Sequence, residues 1–366
     1  MSNHPSVADS RVVALQESIR GASRVHIVGS QSKGGFHSGH DSVCMIDSQA
    51  LIGVVAYDPQ EFVVTVLAGT PVSDLVRLVH GEGQYLPFDP LLSDRGATIG
   101  GTVASNAAGP GRFRFGGIRD FLIGIRFIDG YGKLIRGGGQ VVKNAAGFDY
   151  PKLMVGSRGT LGMIVELTFK VFPKPESFAT VMATFLNIDE AISKMNSLVA
   201  SPLDLEAVDL IPRDGGKTGY ELAIRFGGLA SAIPNRIHRL QQLLPNHRIL
   251  QDDEETKYWR DVSNFRWCSE QNHTVKLPVT PGMIASLEKQ LTDLAIGRRY
   301  SVGGNVAWLD MSQAIEVGQE ILQPILSKGQ PFLCTAHPNA TLLQRDTAGP
   351  FGGAIKRAID PHSKFV

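Results

Sequence analysis

Three stretches of small and glycine residues carry the chemistry that this sequence offers. The longest, Thr98 to Asp120, reads TIGGTVASNAAGPGRFRFGGIRD. It holds Gly100, Gly101, Gly109, Gly111, Gly116 and Gly117, with no bulky aromatic before Phe113, and ends among Arg112, Arg114, Arg119 and Asp120. Its small residues offer little apolar surface for a core, and it lacks the Ser/Pro monotony of a linker. Glycine permits close backbone approach and positive φ. Two readings fit these residues alone. One is a phosphate cradle made of free N–H groups from Ile99 to Val103 at a helix start; the other is a glycine-rich turn that closes a β-structure. A shorter stretch, Gly29-Ser-Gln-Ser-Lys33-Gly34-Gly35, follows the strand Val25–Val28; its backbone N–H groups, hydroxyls and Lys33 could meet an anion, or it could be a solvated strand-to-helix loop, the reading that the loop alone favours. The third, Gly156-Ser-Arg-Gly159-Thr-Leu-Gly162-Met-Ile164, runs into the alternating segment VELTFKVFPKP.

Other chemistry is less well supported. Cys44, Cys268 and Cys334 are scattered and form no C-x-x-C, so neither a disulfide framework nor an iron–sulfur site is suggested. The spacing Gly156-x-x-Gly159-x-x-Gly162 resembles a dinucleotide fingerprint, but a strand follows instead of a helix, which argues against a Rossmann site. A lone His337 makes a poor metal site, and no metal is expected. Arg260 and Arg266, beside Trp259 and Trp267, could hold a carboxylate or form a packing face. No catalytic base is identifiable.

The 366 residues suffice for two domains, and 36 basic against 35 acidic residues argue against binding of nucleic acid or membrane through bulk charge. The N-terminal residues lack the apolar run of a signal peptide, and no stretch is long enough to span a bilayer, so a cytoplasmic protein is expected. The elements that must position the glycine stretches are read as follows. A helix spans Val7 to Arg20 and strands span Val43 to Ile46, Ile52 to Tyr57 and Phe62 to Leu67. A second helix is expected with Thr70 as N-cap and Pro71 at its first position, then a hairpin of Leu122–Ile128 and Lys133–Arg136. After Pro173 and Pro175 the order strand–helix–strand–strand–helix–strand, from Phe178 to Leu250, suggests a ferredoxin-like sandwich. Helices are expected at Asp252–Phe265, Met283–Leu294 and Ser312–Leu326, and strands at Val306–Leu309 and Phe332–Thr335.

In this order, TIGG…N-A-A-G…RD, then Lys143-Asn144-Ala-Ala-Gly147-Phe-Asp149-Tyr-Pro-Lys152-Leu153, then GSRGTLGMI, the motifs resemble the vanillyl-alcohol oxidase (PCMH-type) family of FAD proteins over about half the chain. Their wording is most similar to the FAD-binding subunits of bacterial glycolate oxidases. The resemblance implies an α+β fold: a two-part PCMH-type FAD-binding domain over 1–175, then a ferredoxin-like cap over 176–366 whose C-terminal tail returns to the flavin domain. The segment from Lys356 through Asp360-Pro361 to Phe365 is similar to the family's tail, and departs from it by stopping at Val366. The resemblance further implies one FAD, held without a covalent link because the spacing around His37 differs from that of members with a flavin-linked histidine. Its contacts would come from Gly29, Ser30, Gln31, Ser32, Lys33 and Gly34; from Pro87; from Thr98, Ile99, Gly100, Gly101, Ala104, Ser105, Asn106, Gly109, Gly116, Arg119 and Asp120; and from Gly156, Gly159, Thr160, Leu161, Gly162 and Ile164. The paired-histidine H-x-G-x-G-x-x-H segment of relatives acting on D-2-hydroxy acids has no match here. Three functions stay open: an FAD-binding subunit that oxidises glycolate to glyoxylate beside a second flavoprotein and an iron–sulfur subunit, a stand-alone D-2-hydroxy-acid dehydrogenase, or an inert flavin scaffold.

Overall fold

A computed structural model describes residues 8–33, 43–139, 148–244, 246–269, 273–292, 296–311, 333–335 and 349–366. Gly34, His37, Lys143, Asn144, Gly147, the expected helix at 312–326 and His337 lie outside them. The first part runs α1 (Ala8–Gly21), β1 (Val25–Val28), β2 (Cys44–Asp47), β3 (Val54–Asp58), β4 (Val63–Leu67), α2 (Val72–Gly81) and β5 (Gln84–Tyr85). Then come α3 (Ile99–Ser105), α4 (Arg112–Phe115), α5 (Ile118–Phe121), β6 (Leu122–Ile128), β7 (Leu134–Gly138), α6 (Tyr150–Met154), β8 (Met163–Lys170) and β9 (Phe172–Pro173). β1 and β2 form a parallel pair, and β3-β4-β8-β6-β7 form an antiparallel five-stranded sheet. Val64 and Val66 on β4, Ile125 and Phe127 on β6 and Leu167 and Phe169 on β8 alternate onto one face, where α2 and α3 cover them.

The second part runs β10 (Ser177–Phe185), α7 (Ile188–Val199), β11 (Ala207–Pro212), β12 (Tyr220–Gly228), α8 (Ile233–Gln241), β13 (His247–Gln251) and α9 (Asp252–Ser263). It continues through β14 (His273–Pro278), α10 (Pro281–Leu291), β15 (Gly297–Ser301), β16 (Val306–Met311), β17 (Leu333–Thr335) and α11 (Gly349–Ile359). Its strands make one eight-stranded sheet in the order β13-β10-β12-β11-β15-β16-β14-β17. The first four have the strand order of a ferredoxin-like sandwich, with the first and third strands central. Asn187 caps α7 by accepting from the N–H groups of Asp189 and Glu190 at 2.7 and 3.4 Å, and Ala191, Met195 and Leu198 bury its inner face. Ala179, Val181, Ala183 and Phe185 of β10 point into that core, whereas Met182 points to the other face, beneath Trp259 and Val262 of α9. Strands β14 and β15 were not expected from sequence. Their short runs carry lysine, arginine and proline, which hide the alternation.

The two parts share a core. Phe265, Val306 and Trp308 pack among the residues of the first sheet, and the Phe265 and Trp308 rings lie 4.8 Å apart. The chain end also returns to the first part. Val25 N–H donates to the Lys364 carbonyl at 2.7 Å, Val366 N–H donates to the Val25 carbonyl at 3.1 Å, and Phe365 is buried beside Val12 and Ile19. Two local readings are corrected. Thr70 does not cap α2, which starts at Val72; its hydroxyl instead bonds the backbone of Gly53, accepting at 3.1 Å and donating at 3.2 Å. The stretch from Thr98 is also deep core, not too small for it: Ile99, Thr102 and Val103 are fully buried, because small residues let α3 sit directly against β4.

Candidate functional site

A cleft opens where β1, the end of β4, the start of α3 and the turn before β8 converge. It encloses about 800 Å³, counting space open to solvent. Of the residues expected from sequence, Gly29, Ser30, Gln31, Ser32, Lys33, Thr98, Gly100, Gly101, Ala104, Ser105, Gly159, Gly162 and Ile164 line it together. Its wall also includes His26, Ile27, Val28, Ser48, Ala68 and Arg158, which sequence reasoning missed. Ile27 and Val28 read only as strand, and Arg158 was given no role of its own in the Gly156–Ile164 stretch.

The glycines set the width of this cleft. A Cβ on Gly100 would stand 2.8 Å from the Ala68 side chain, and one on Gly101 would stand 3.1 Å from Thr98 Oγ1 on the side of the Lys33 ammonium. Gly162 has φ +152°, and a Cβ there would meet the Ile128 carbonyl at 2.7 Å.

Donors are placed differently from the sequence reading. The N–H groups at the helix start are not free. Ile99 donates to the Thr70 carbonyl at 2.9 Å, Gly100 to the Ala68 carbonyl at 2.8 Å and Thr102 to the Thr98 carbonyl at 2.9 Å. Gly101 donates to the capping Thr98 hydroxyl at 3.3 Å. These bonds fasten α3 to the strand end, so a cradle of free N–H groups from Ile99 to Val103 is not what the chain builds. The open donors lie in the other loop: among the described residues, the N–H groups of Gly29 to Lys33 donate to no protein acceptor. Gln31 holds φ 55°, and this positive-φ turn helps N–H groups point to one side.

Lys33 completes that loop. It is 7% exposed, and its ammonium donates to Thr102 Oγ1 at 3.4 Å. Burial lowers its pKa to about 8. Among the described residues no carboxylate pairs with it. A buried ammonium is costly unless an anion meets it. Open N–H groups, the hydroxyls of Ser30 and Ser32, and this ammonium together suit a diphosphate, whereas the Ser105 hydroxyl donates to the Gly101 carbonyl at 2.6 Å. The apolar side chains of Ile27, Ala68 and Ile164 suit the flat, apolar portion of a nucleotide cofactor.

Other expected residues sit elsewhere. Ile99 is core, Asn106 ends α3 at φ 50°, and Gly156 N–H donates to the Val103 carbonyl at 3.0 Å. Gly109 backs onto Asp89, Gly116 turns at φ +92° against the Asp120 carboxylate, and Arg119 and Asp120 are exposed. Thr160 accepts the Lys356 ammonium on its carbonyl, and Leu161 packs on the first core. Pro87 lines a second opening, with Asp89, Glu206 and Arg225. Arg260 and Arg266 both bond Asp94, at 2.8 Å each, and the Arg260 bond keeps that carboxyl below its ordinary range. Trp259 donates to the Thr180 hydroxyl at 2.8 Å in the core. Arg266 also pairs with Asp261 at 3.4 Å, so the two arginines form a packing and ion-pair feature with two acids matched to them.

Comparison with known proteins agrees with the geometry. Residues 11–138 match a family described as an FAD binding domain. Glycolate oxidase subunit GlcE of Escherichia coli (strain K12) is 39% identical over 163 residues, 44% of this chain and 46% of that protein. Glycolate oxidase subunit GlcD of Bacillus subtilis (strain 168) is 35% identical over 173 residues, 45% of this chain and 37% of that protein. A D-lactate dehydrogenase of Anaerostipes hadrus is 31% identical over 170 residues, 46% of this chain and 35% of that protein. The aligned segment thus spans less than half the length of each of these relatives. A solved structure of alkyldihydroxyacetonephosphate synthase superposes with a TM-score of 0.71 at 16% identity, covering 95% of this chain and 73% of that one. That likeness is one of fold, and it agrees with the expected α+β class.

Proposed function

We propose that the chain is an FAD-linked oxidoreductase of 2-hydroxy acids, with FAD held by the part whose residues 11–138 match the FAD binding domain family. In this reading it serves as the FAD-binding subunit of a glycolate-oxidase-like complex and passes electrons to partner subunits. The observation that carries the reading is the buried Lys33 ammonium with the open N–H groups of Gly29 to Lys33 beside it, a setting made for the diphosphate of FAD. The names of the relatives, glycolate oxidase subunits and a D-lactate dehydrogenase, support the 2-hydroxy-acid substrate class.

Bound FAD would accept the two electrons that leave the hydroxyl-bearing carbon. The chain's own part is to hold and orient. Lys33 offsets one charge of the diphosphate, the Gly29–Lys33 loop donates hydrogen bonds, and Gly100 and Gly101 keep the floor low. Ile27, Ala68 and Ile164 exclude water from the apolar side. The tail, through Phe365 and Lys356, braces the turn at Thr160 next to the cleft.

Two measurements test this. Denaturing the yellow protein should release all flavin to the supernatant; flavin that stays with the precipitate would overturn a non-covalent link. Dye reduction by glycolate should be absent or weak with the chain alone and appear when candidate partner subunits are added. Robust turnover of D-lactate or glycolate by the chain alone would favour the stand-alone dehydrogenase.

A further inference from the structure

A second group of cations stands at the edge of the same cleft. Lys276 projects from β14, and its ammonium donates to the Asn106 carbonyl at 3.3 Å, next to Ala104 and Ser105 of the cleft wall. The ring of Trp308, its partner across the strands, lies 5.5 Å away. Arg112, from α4, and Arg158, from the cleft wall, both bear on Lys276 with like charge. Among the described residues no carboxylate forms an ion pair with Lys276 or Arg112. The acid that faces Arg112 is Asp120, which is exposed and already accepts the Gly117 N–H at 2.8 Å. Burial, then Arg112 and Arg158, lower Lys276 to about 8. Like charges gathered around a partly buried amine are unfavourable until an anion sits among them. Trp308, only 5% exposed, supplies a flat apolar wall beside them.

We propose that Lys276, Arg112 and Arg158 form a receptor for the carboxylate of a small 2-hydroxy or 2-oxo acid, seated against Trp308 at the edge of the flavin cleft. This rests on the proposed function and names the residues that select its substrate class. Arg260 and Arg266, which the sequence put forward for this task, are paired with Asp94, and Arg266 also with Asp261; among the described residues no carboxylate pairs with Lys276 or Arg112 in that way.

The test is calorimetric titration of the FAD-loaded chain with oxalate, a planar acid that the reaction cannot oxidise, with acetate in parallel. The wild type should bind one oxalate per chain, and binding should weaken as pH rises above about 8. Lys276→Met should weaken oxalate by roughly tenfold or more at unchanged flavin content, and Lys276→Arg should restore most of it. No binding to the loaded wild type, equal binding by Lys276→Met, or loss of flavin from that variant would each overturn the assignment, the last by showing that the ammonium serves the cofactor. Dye reduction by 2-hydroxy acids is read separately. Oxalate binding without turnover of any such acid, even with candidate partner subunits added, leaves the receptor standing and removes the oxidoreductase reading, whereas turnover without oxalate binding does the reverse.

Discussion

Lys33 shows how much one buried charge determines. Its pKa falls from the ordinary 10.5 to about 8 because burial removes water from the ammonium. Between those values the unfolded chain binds a proton that the folded, empty chain does not, so the empty chain gains stability as pH rises through that window. Below about pH 8 the cost of the buried charge is fully present. A diphosphate raises the pKa again, so FAD affinity should be flat below about pH 8 and fall as pH rises beyond it. Flavin fluorescence titrations across that range check this; an affinity independent of pH up to about 10 would remove Lys33 from the cofactor contact. Lys33 was singled out through the family resemblance, since a glycine- and serine-rich loop after a strand reads by itself as a solvated turn. Lys276 was not. It sits alone in HTVKLP, and what gives it meaning, Asn106 and Arg112 brought alongside by the fold, is far away in the chain.

At the scale of elements, α3 and the loop after β1 divide the work. The helix is held tightly by its own backbone bonds and presents a smooth floor; the loop keeps its donors open. The sequence motif was read correctly as a close backbone approach, but the partner approached is Ala68 of the protein as well as the cleft. Gly101→Val should therefore block the cleft beside Lys33 and lose FAD without unfolding the second sheet. All 3 tryptophans follow the first sheet in the chain, at Trp259, Trp267 and Trp308, so a urea unfolding transition followed by tryptophan emission that matches that of the flavin-free wild type, together with lost flavin, is the expected result. Full flavin occupancy in this variant would contradict the floor assigned to α3. In the second sheet, Asp209 on β11 accepts from Arg299 at 2.5 Å and from the Ser301 hydroxyl at 2.7 Å, and all three are buried. Asp209→Ala leaves the guanidinium without its carboxylate and should cost about 3–5 kcal/mol in urea unfolding followed by tryptophan emission. Such internal pairs were invisible in sequence, since each partner sits on a different strand.

On the scale of the whole molecule, the two parts are bound by a common core and by a chain end that reaches back to β1. The hydrophobic periodicity and the proline pair after β8 were enough to find most strands and the ferredoxin-like order of β10 to β13. The extension of that sheet by β15, β16, β14 and β17 was hidden, because its pairing joins segments separated by helices and turns. This extension carries Lys276 and Trp308 towards the Asn106 end of α3, so in the proposed receptor the second part supplies charge to a site whose floor belongs to the first. The most direct test of the central claim, that the Gly29–Lys33 loop holds the diphosphate of FAD, compares FAD with riboflavin, which has the ring system but no phosphate. The empty wild-type chain should bind one FAD far more tightly than riboflavin. Lys33→Met should weaken FAD by roughly 10- to 100-fold and leave riboflavin unchanged. Equal losses for both ligands, or no loss for FAD, would contradict the account.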